Sequence, residues 1–337
     1  MRILNWHNLT GVHCGSVAIR NVINYYGVDY DEALCFGLGS GLGFFYTKNK
    51  IGKPSEVIHL RAPNMEPNFF TDSNLKYEWI TEADSIIAEN NLIQDIEDGF
   101  PVFLQTDIFF LHYYNSSIHF PGHVIVCIGV DQKNKIFYVS DTNFKEIQKV
   151  SFNDMKKARS SKAEPYPLFF NHFKVTKFKK FQNLRNKIEK AIFQNSHNYI
   201  NGQRSERGIS SIFTILEWLN NLNRWKQLRD SPEIFKFAYQ IIVKRGSKGA
   251  GFRYIYKDFL EIAEQKSQKV KTLQLASDMN NIAEIWFKIG MLLRLMSKNK
   301  TNNDFNELVV MCQEVFKLEY LYHSKVIDNF ISKKKGA

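Results

Sequence analysis

The apolar periodicity of this chain changes once, near residue 180, and that change sets the fold class. Before it, short runs rich in Val, Ile, Phe and Tyr stand between turn residues. They are "GFPVFLQTDIFFLHYY" at 99–114, "HVIVCIGVD" at 123–131 and "KIFYVSDT" at 135–142. Such runs predict strands, and the "QKNK" region between the last two predicts a hairpin. Two helical patterns come earlier: "CGSVAIRNVINYY", closed by Gly27, and the shorter "DYDEALCFGLG". After residue 180, runs such as "LRNKIEKAIFQN", "GISSIFTILEWLNNL" and "NNIAEIWFKIGMLLRLMSK" repeat apolar residues at the three/four spacing of amphipathic helices. "KAEPYP" at 162–167 reads as a connector. The expectation is an α+β protein, with a mixed catalytic domain over 1–165 and a mostly helical, basic domain over 166–337. The tail "SKKKGA" should be frayed.

Charge divides along the same line. Residues 1–150 hold 11 Lys/Arg against 17 Asp/Glu, a net of −6; residues 151–337 hold 34 against 17, a net of +17. Lys-rich solvated helices explain this, and so does a surface for an acidic partner. No helix-turn-helix, zinc-finger, RRM or KH signature supports nucleic acid, and an acidic protein partner fits equally well. Four cysteines without a CxxC pair argue for a reducing compartment and against a disulfide framework or a zinc site. "MRILNWHNLT" has no signal-peptide h-region, and "IWFKIGMLLRLM", broken by Lys288 and Arg294, is too short to span a bilayer. A cytoplasmic protein is expected, with no membrane partner.

Within "GVHCGSVAIRNVINYYG" at 11–27, Cys14 falls where a loop runs into a helix. Unsatisfied N–H groups and the positive end of the helix dipole favour thiolate there, which makes such a cysteine a nucleophile. A nucleophile needs a base and a group to orient it. His123 opens one strand of the predicted hairpin and Asp141 closes the other, so the two fall opposite one another within a residue or two. Cys14, His123 and Asp141 then form a triad in papain-type order, with Asn143 as a fallback orienting group. The oxyanion would find donors in the backbone N–H of Cys14 and the side chain of Asn8. His7 and His13, although nearby, read as structural. Asp107 is a weaker candidate for gripping an acceptor ammonium. "GLGSGLGF" at 37–44 lacks the spacing and position of a nucleotide loop. Its glycines, Gly39 and Gly41 among them, read as close backbone approach to another segment or to an extended substrate.

"HCGSVAIRNVINYYG", "EALCFGLGSGLGFFY", "LQTDIFFLHYYN", "GHVIVCIGVD" and "YVSDT" resemble, in that order, the N-terminal domain of the butirosin-biosynthesis BtrH-type acyltransferase family. "GSKGAGFRYIYKDFLEIA" at 246–263 resembles the helical C-terminal domain that accompanies it. As a whole the chain is also similar to the closthioamide amide-forming enzyme, CtaG-type. The resemblance implies a papain-like fold similar to the C39 bacteriocin-processing peptidases. It implies acyl transfer from a carrier protein to an amine rather than proteolysis. In that reading Cys14 takes an acyl chain from a carrier's phosphopantetheine arm, and no cofactor is bound by the chain itself. His123 deprotonates the amine and Asp141 steadies the imidazolium. An acidic carrier suits the +17 half, and a small amine or polyamine suits the −6 half. A thiol peptidase or amidase, a non-catalytic binding module and a nucleic-acid binder are the competing readings.

Overall fold

The computed structural model describes residues 1–49, 53–71, 75–205, 208–298 and 302–330; the expected frayed tail lies outside them. In chain order the first elements are β1 (Arg2–Ile3), α1 (Cys14–Tyr25), α2 (Glu32–Leu38), β2 (Leu42–Lys48), β3 (Glu56–Arg61) and α3 (Met65–Phe70). Next come α4 (Ser85–Glu97), β4 (Val102–Thr106), β5 (His123–Asp131), β6 (Ile136–Ser140), β7 (Gln148–Ser151), α5 (Phe152–Arg159) and β8 (His172–Lys174). The rest holds α6 (Leu184–Asn201), β9 (Gln203–Ser205), β10 (Gly208–Ser210), α7 (Phe213–Gln227), α8 (Ser231–Tyr239), α9 (Arg253–Lys266), α10 (Gln268–Thr272), α11 (Leu275–Met296) and α12 (Asn302–Phe330). Antiparallel strands with segregated helices make this an α+β protein. No helix among the described residues is long and apolar enough to cross a membrane.

Two compact units are present, and neither is a continuous piece of chain. The first holds residues 1–35 and 66–180; the second holds 36–65 and 181–337. The chain passes into the second unit within α2 and leaves it at the start of α3.

In the first unit the sheet runs β7-β6-β5-β4-β8, with β1 also paired to β5, and every pairing is antiparallel. The run "HVIVCIGVD" has apolar residues on both faces of the pleat, and β5 is buried over its whole length. Helices α1 and α4 both pack against it. Leu92, Ile96, Leu104, Ile125, Phe137, Val139 and Met155 close the core with α5. Each such side chain contributes about 1.5–3 kcal/mol by leaving water. Helix α1 buries Val17, Ile19, Val22 and Ile23, as its spacing predicts, and Gly27 follows it at φ +77°.

One strand expectation fails. "VFLQT" is a strand, but "IFFLHYY" forms two single 3-10 turns, Ile108–Phe110 and His112–Tyr114. The reason is Asp107: its carboxylate accepts the Phe109 N–H and so starts a turn where the aromatic composition alone suggests extension.

In the second unit β2 and β3 pair with each other, and helices cover them. Phe44 on β2 packs on Trp218 and Trp286, with ring centroids 5.6 and 5.7 Å away. The short β9–β10 pair stands where "GISSIFTILEWLNNL" predicts the start of a helix; the helix begins at Phe213 instead. The glycine-rich segment lies in this unit. A Cβ on Gly39 would come within 2.6 Å of the Met65 carbonyl oxygen, and one on Gly41 within 2.6 Å of the Phe36 ring. Close approach of these glycines to another chain segment is present. A Gly39→Ala variant should therefore be less stable by about 1–3 kcal/mol, the usual cost of overpacking. A melting temperature equal to wild type would show that the contact yields freely.

Candidate active site

The residues of interest sit at the ends of elements. Cys14 is the first residue of α1. His123 is the first residue of β5, and Asp141 follows the last residue of β6. Because β5 and β6 are antiparallel, with Val126 opposite Ser140, the start of one and the end of the other share one end of the sheet. His123 Nε2 lies 2.9 and 3.0 Å from the two carboxylate oxygens of Asp141. With Nε2 committed to Asp141, Nδ1 is the ring nitrogen left for sulfur. Cys14 lies near enough to the same imidazole to help raise its pKa.

Electrostatics follow from that geometry. Burial by itself would lower the pKa of His123. The Asp141 charge, its hydrogen bond and the contact with Cys14 outweigh burial and push His123 up to about 10. Burial would likewise raise Asp141, but the His123 charge and the hydrogen bonds from His123, Tyr113 and the Thr142 N–H hold it below the usual carboxylate range. The pair is thus an imidazolium and a carboxylate. The other three cysteines differ from Cys14 in kind. Cys35, Cys127 and Cys312 are buried, and desolvation raises each thiol, Cys127 to about 12. Cys14 alone of the four is partly exposed.

The loop that delivers Cys14 is clamped. The carboxylate of Glu32 accepts the backbone N–H groups of Val12 (3.1 Å) and His13 (2.8 Å) and the Ser16 hydroxyl (3.0 Å). His13 caps α1, its Nδ1 accepting the Ser16 N–H at 3.2 Å, which is the structural role the sequence suggested. Replacing Glu32 by Ala should free the 11–13 turn and slow Cys14 chemistry about tenfold through misplacement. An unaltered rate of Cys14 alkylation would rule this clamp out.

Asn8 lies beside this loop. Its Nδ2 donates to the Phe144 carbonyl at 2.5 Å, and its Oδ1 accepts from Asn21 at 3.1 Å and from Ser140. One amide hydrogen remains for another acceptor. Asp107 is fully buried. Its carboxylate is bound by His119 Nδ1 (2.6 Å), the Ser161 hydroxyl (2.7 Å) and the N–H groups of Phe109 and Phe120. It organises its loop and presents no face to an ammonium group. Gly39 and Gly41 belong to the other compact unit. Asn143 is exposed and reaches the Tyr114 hydroxyl at 3.4 Å.

Two residues that the sequence did not single out complete the site. The Tyr113 hydroxyl donates to Asp141 Oδ2 at 2.8 Å, and that of Tyr114 to Asp141 Oδ1 at 3.0 Å. Tyr114 also stands 3.2 Å from His123 Nε2, its ring edge-on to the imidazole. Reading 108–114 as strand hid them; the Asp107 turn signal was the clue.

An α+β protein with a helix-start cysteine facing a carboxylate-held imidazole at one end of an antiparallel sheet falls in a narrow class. Residues 13–142 match the family described as "Butirosin biosynthesis protein H, N-terminal", and residues 153–326 match a "Domain of unknown function (DUF4872)". The second match spans half of the chain, which therefore belongs to that family, and the N-terminal part carries a domain of the butirosin biosynthesis protein H type. Cys14, Tyr113, Tyr114, His123 and Asp141 all fall within the first match. No curated protein matches the chain.

Proposed function

We propose that this protein is a cysteine-dependent acyltransferase that forms amide bonds in natural-product biosynthesis, and that Cys14, His123 and Asp141 carry the chemistry. The observation behind this reading is the His123–Asp141 contact at 2.9 Å with Cys14 on the same imidazole. The Cys14 thiolate attacks the carbonyl of an acyl thioester carried on the phosphopantetheine arm of a carrier protein. The tetrahedral oxyanion is met by the Cys14 backbone N–H, unsatisfied in the first helical turn, and by the remaining Nδ2 hydrogen of Asn8. The carbon–sulfur bond to the arm breaks, the departing thiolate takes the proton of His123, and acyl-Cys14 is left. An amine then attacks the acyl carbon, neutral His123 accepts its proton, and Cys14 leaves as thiolate with an amide formed. Asp141 keeps the imidazole oriented through both steps. A thioester donor already carries the activation that ATP would otherwise supply. The basic C-terminal half suits an acidic carrier, and its docking should weaken with salt.

Intact-mass spectrometry of the full chain mixed with an acyl-carrier thioester tests the reading. The wild type should gain the acyl mass, lose it as amide when a diamine is added, and Cys14→Ala should gain nothing. No adduct on folded wild type, or an adduct that survives in Cys14→Ala, would overturn it. Release only as free acid in the presence of amine would instead identify a hydrolase.

A further inference from the structure

Acyl transfer as written uses the side chains of Cys14, His123, Asp141 and Asn8, and two tyrosines nearby have no part in it. We infer that Tyr113 and Tyr114 are positioning residues whose hydroxyls lock both oxygens of Asp141 and so hold the imidazolium of His123 against Cys14. This role rests on reading Cys14 as the nucleophile.

The geometry is specific. Each hydroxyl takes a different oxygen of one carboxylate, at 2.8 and 3.0 Å. Together with His123 Nε2 and the Thr142 N–H they supply four donors to Asp141, a carboxylate only 2% exposed. A buried carboxylate without such donors would turn or protonate. The Tyr114 hydroxyl, donating to Asp141, has its lone pairs left for His123 Nε2 at 3.2 Å and Asn143 Nδ2 at 3.4 Å. Both phenols are raised by burial and by the Asp141 charge, so they remain donors at any working pH.

The turn that presents them is itself held. Asp107, at the base of the loop, takes the Phe120 N–H and His119 Nδ1, and the Ile108 N–H reaches the Phe120 carbonyl at 3.4 Å. The loop is thereby closed on itself, with the His112–Tyr114 turn inside it. Phe144 packs edge-on to both tyrosine rings at 5.0 and 5.2 Å. Rotation of either hydroxyl away from Asp141 would require the turn or this ring cluster to move.

The groups facing His123 are Asp141, Cys14 and Tyr114; those facing Asp141 are His123, Tyr113 and Tyr114. Loosening Asp141 weakens the imidazolium, and a weaker imidazolium assists the sulfur of Cys14 less. The measurement is the rate of Cys14 alkylation by iodoacetamide against pH in the full chain, with the modified peptide identified by mass. It needs no acyl substrate, so a failure of the proposed function leaves it readable. In Tyr113→Phe/Tyr114→Phe the rings are kept, and the alkylation midpoint should rise by about one pH unit, a roughly tenfold slower reaction below the midpoint. In an Asp141→Asn background the same two changes should shift the midpoint by much less, because most of their effect passes through Asp141. A double variant that titrates as wild type, or one that shifts equally in the Asp141→Asn background, overturns the inference. Should the double variant not fold, Tyr114→Phe alone is read by the same outcomes.

Discussion

Asp141→Asn should slow acyl transfer by about 10³–10⁴-fold while leaving the fold intact, because an amide offers the imidazole an N–H donor and favours the wrong tautomer. The substitution keeps the size of the side chain, and its oxygen can still accept from one tyrosine. A loss of less than tenfold would mean that Asp141 does not orient His123. The same variant carries a pH signature. His123 is raised to about 10 in the folded chain, against about 6.5 in an unfolded one. A raised folded-state value means the native state holds the proton more tightly. Its contribution to stability is complete below about pH 6.5 and is lost as pH climbs through about 10. Asp141→Asn should remove most of that alkaline slope. Melting temperatures of both proteins between pH 6.5 and 10 would show it, and parallel slopes would contradict it.

Arg253→Met should destabilise the second unit by about 3–5 kcal/mol, the cost of leaving one member of a buried ion pair behind. The guanidinium is fully buried. It reaches Glu319 at 2.8 and 3.1 Å, the Tyr199 hydroxyl at 3.1 Å, and the carbonyls of Leu60 and Gly251 at 3.1 and 2.7 Å. Glu319, in turn, accepts the Trp286 indole N–H at 2.6 Å. Removing the arginine strands a buried carboxylate and two carbonyl groups together. A second change, Glu319→Leu, should recover part of the loss, since the isolated charge is then gone. A single variant within about 1 kcal/mol of wild type would mean that water or a neighbour replaces the guanidinium without strain.

The site was legible where local chemistry decides position. A helix start can be read at Cys14 from the pattern that follows it, and a hairpin at 123–141 from two strand runs and a polar turn. The His123–Asp141 contact follows from antiparallel pairing alone, despite a register shift between Cys127 and Gly129. What could not be read depends on side chains meeting across long separations in sequence. Glu32 clamps the Cys14 loop from another helix, and Asn8 is tied to Ser140 and Phe144 far along the chain. Tyr113 and Tyr114 were missed for a different reason. Their aromatic run has strand propensity, and one Asp107 cap overrides it. Asp107 stands out in the sequence by its charge, and in the fold its carboxylate accepts from four internal donors. The place of residues 36–65 was equally hidden, because nothing local in "GFFYTK" names Trp218 or Trp286 as its neighbours.

That interrupted path has a consequence for how the protein is made. A ribosome delivers the β2–β3 ribbon long before Trp218, Arg253 and Trp286 exist to cover Phe44 and Leu60. A nascent polypeptide released at residue 180 would therefore hold every residue of the unit that carries Cys14 and still expose an orphaned apolar ribbon, a species prone to aggregate. Excising the unit cleanly calls for replacing 36–65 with a short linker as well as stopping at 180; a single stop codon does not suffice.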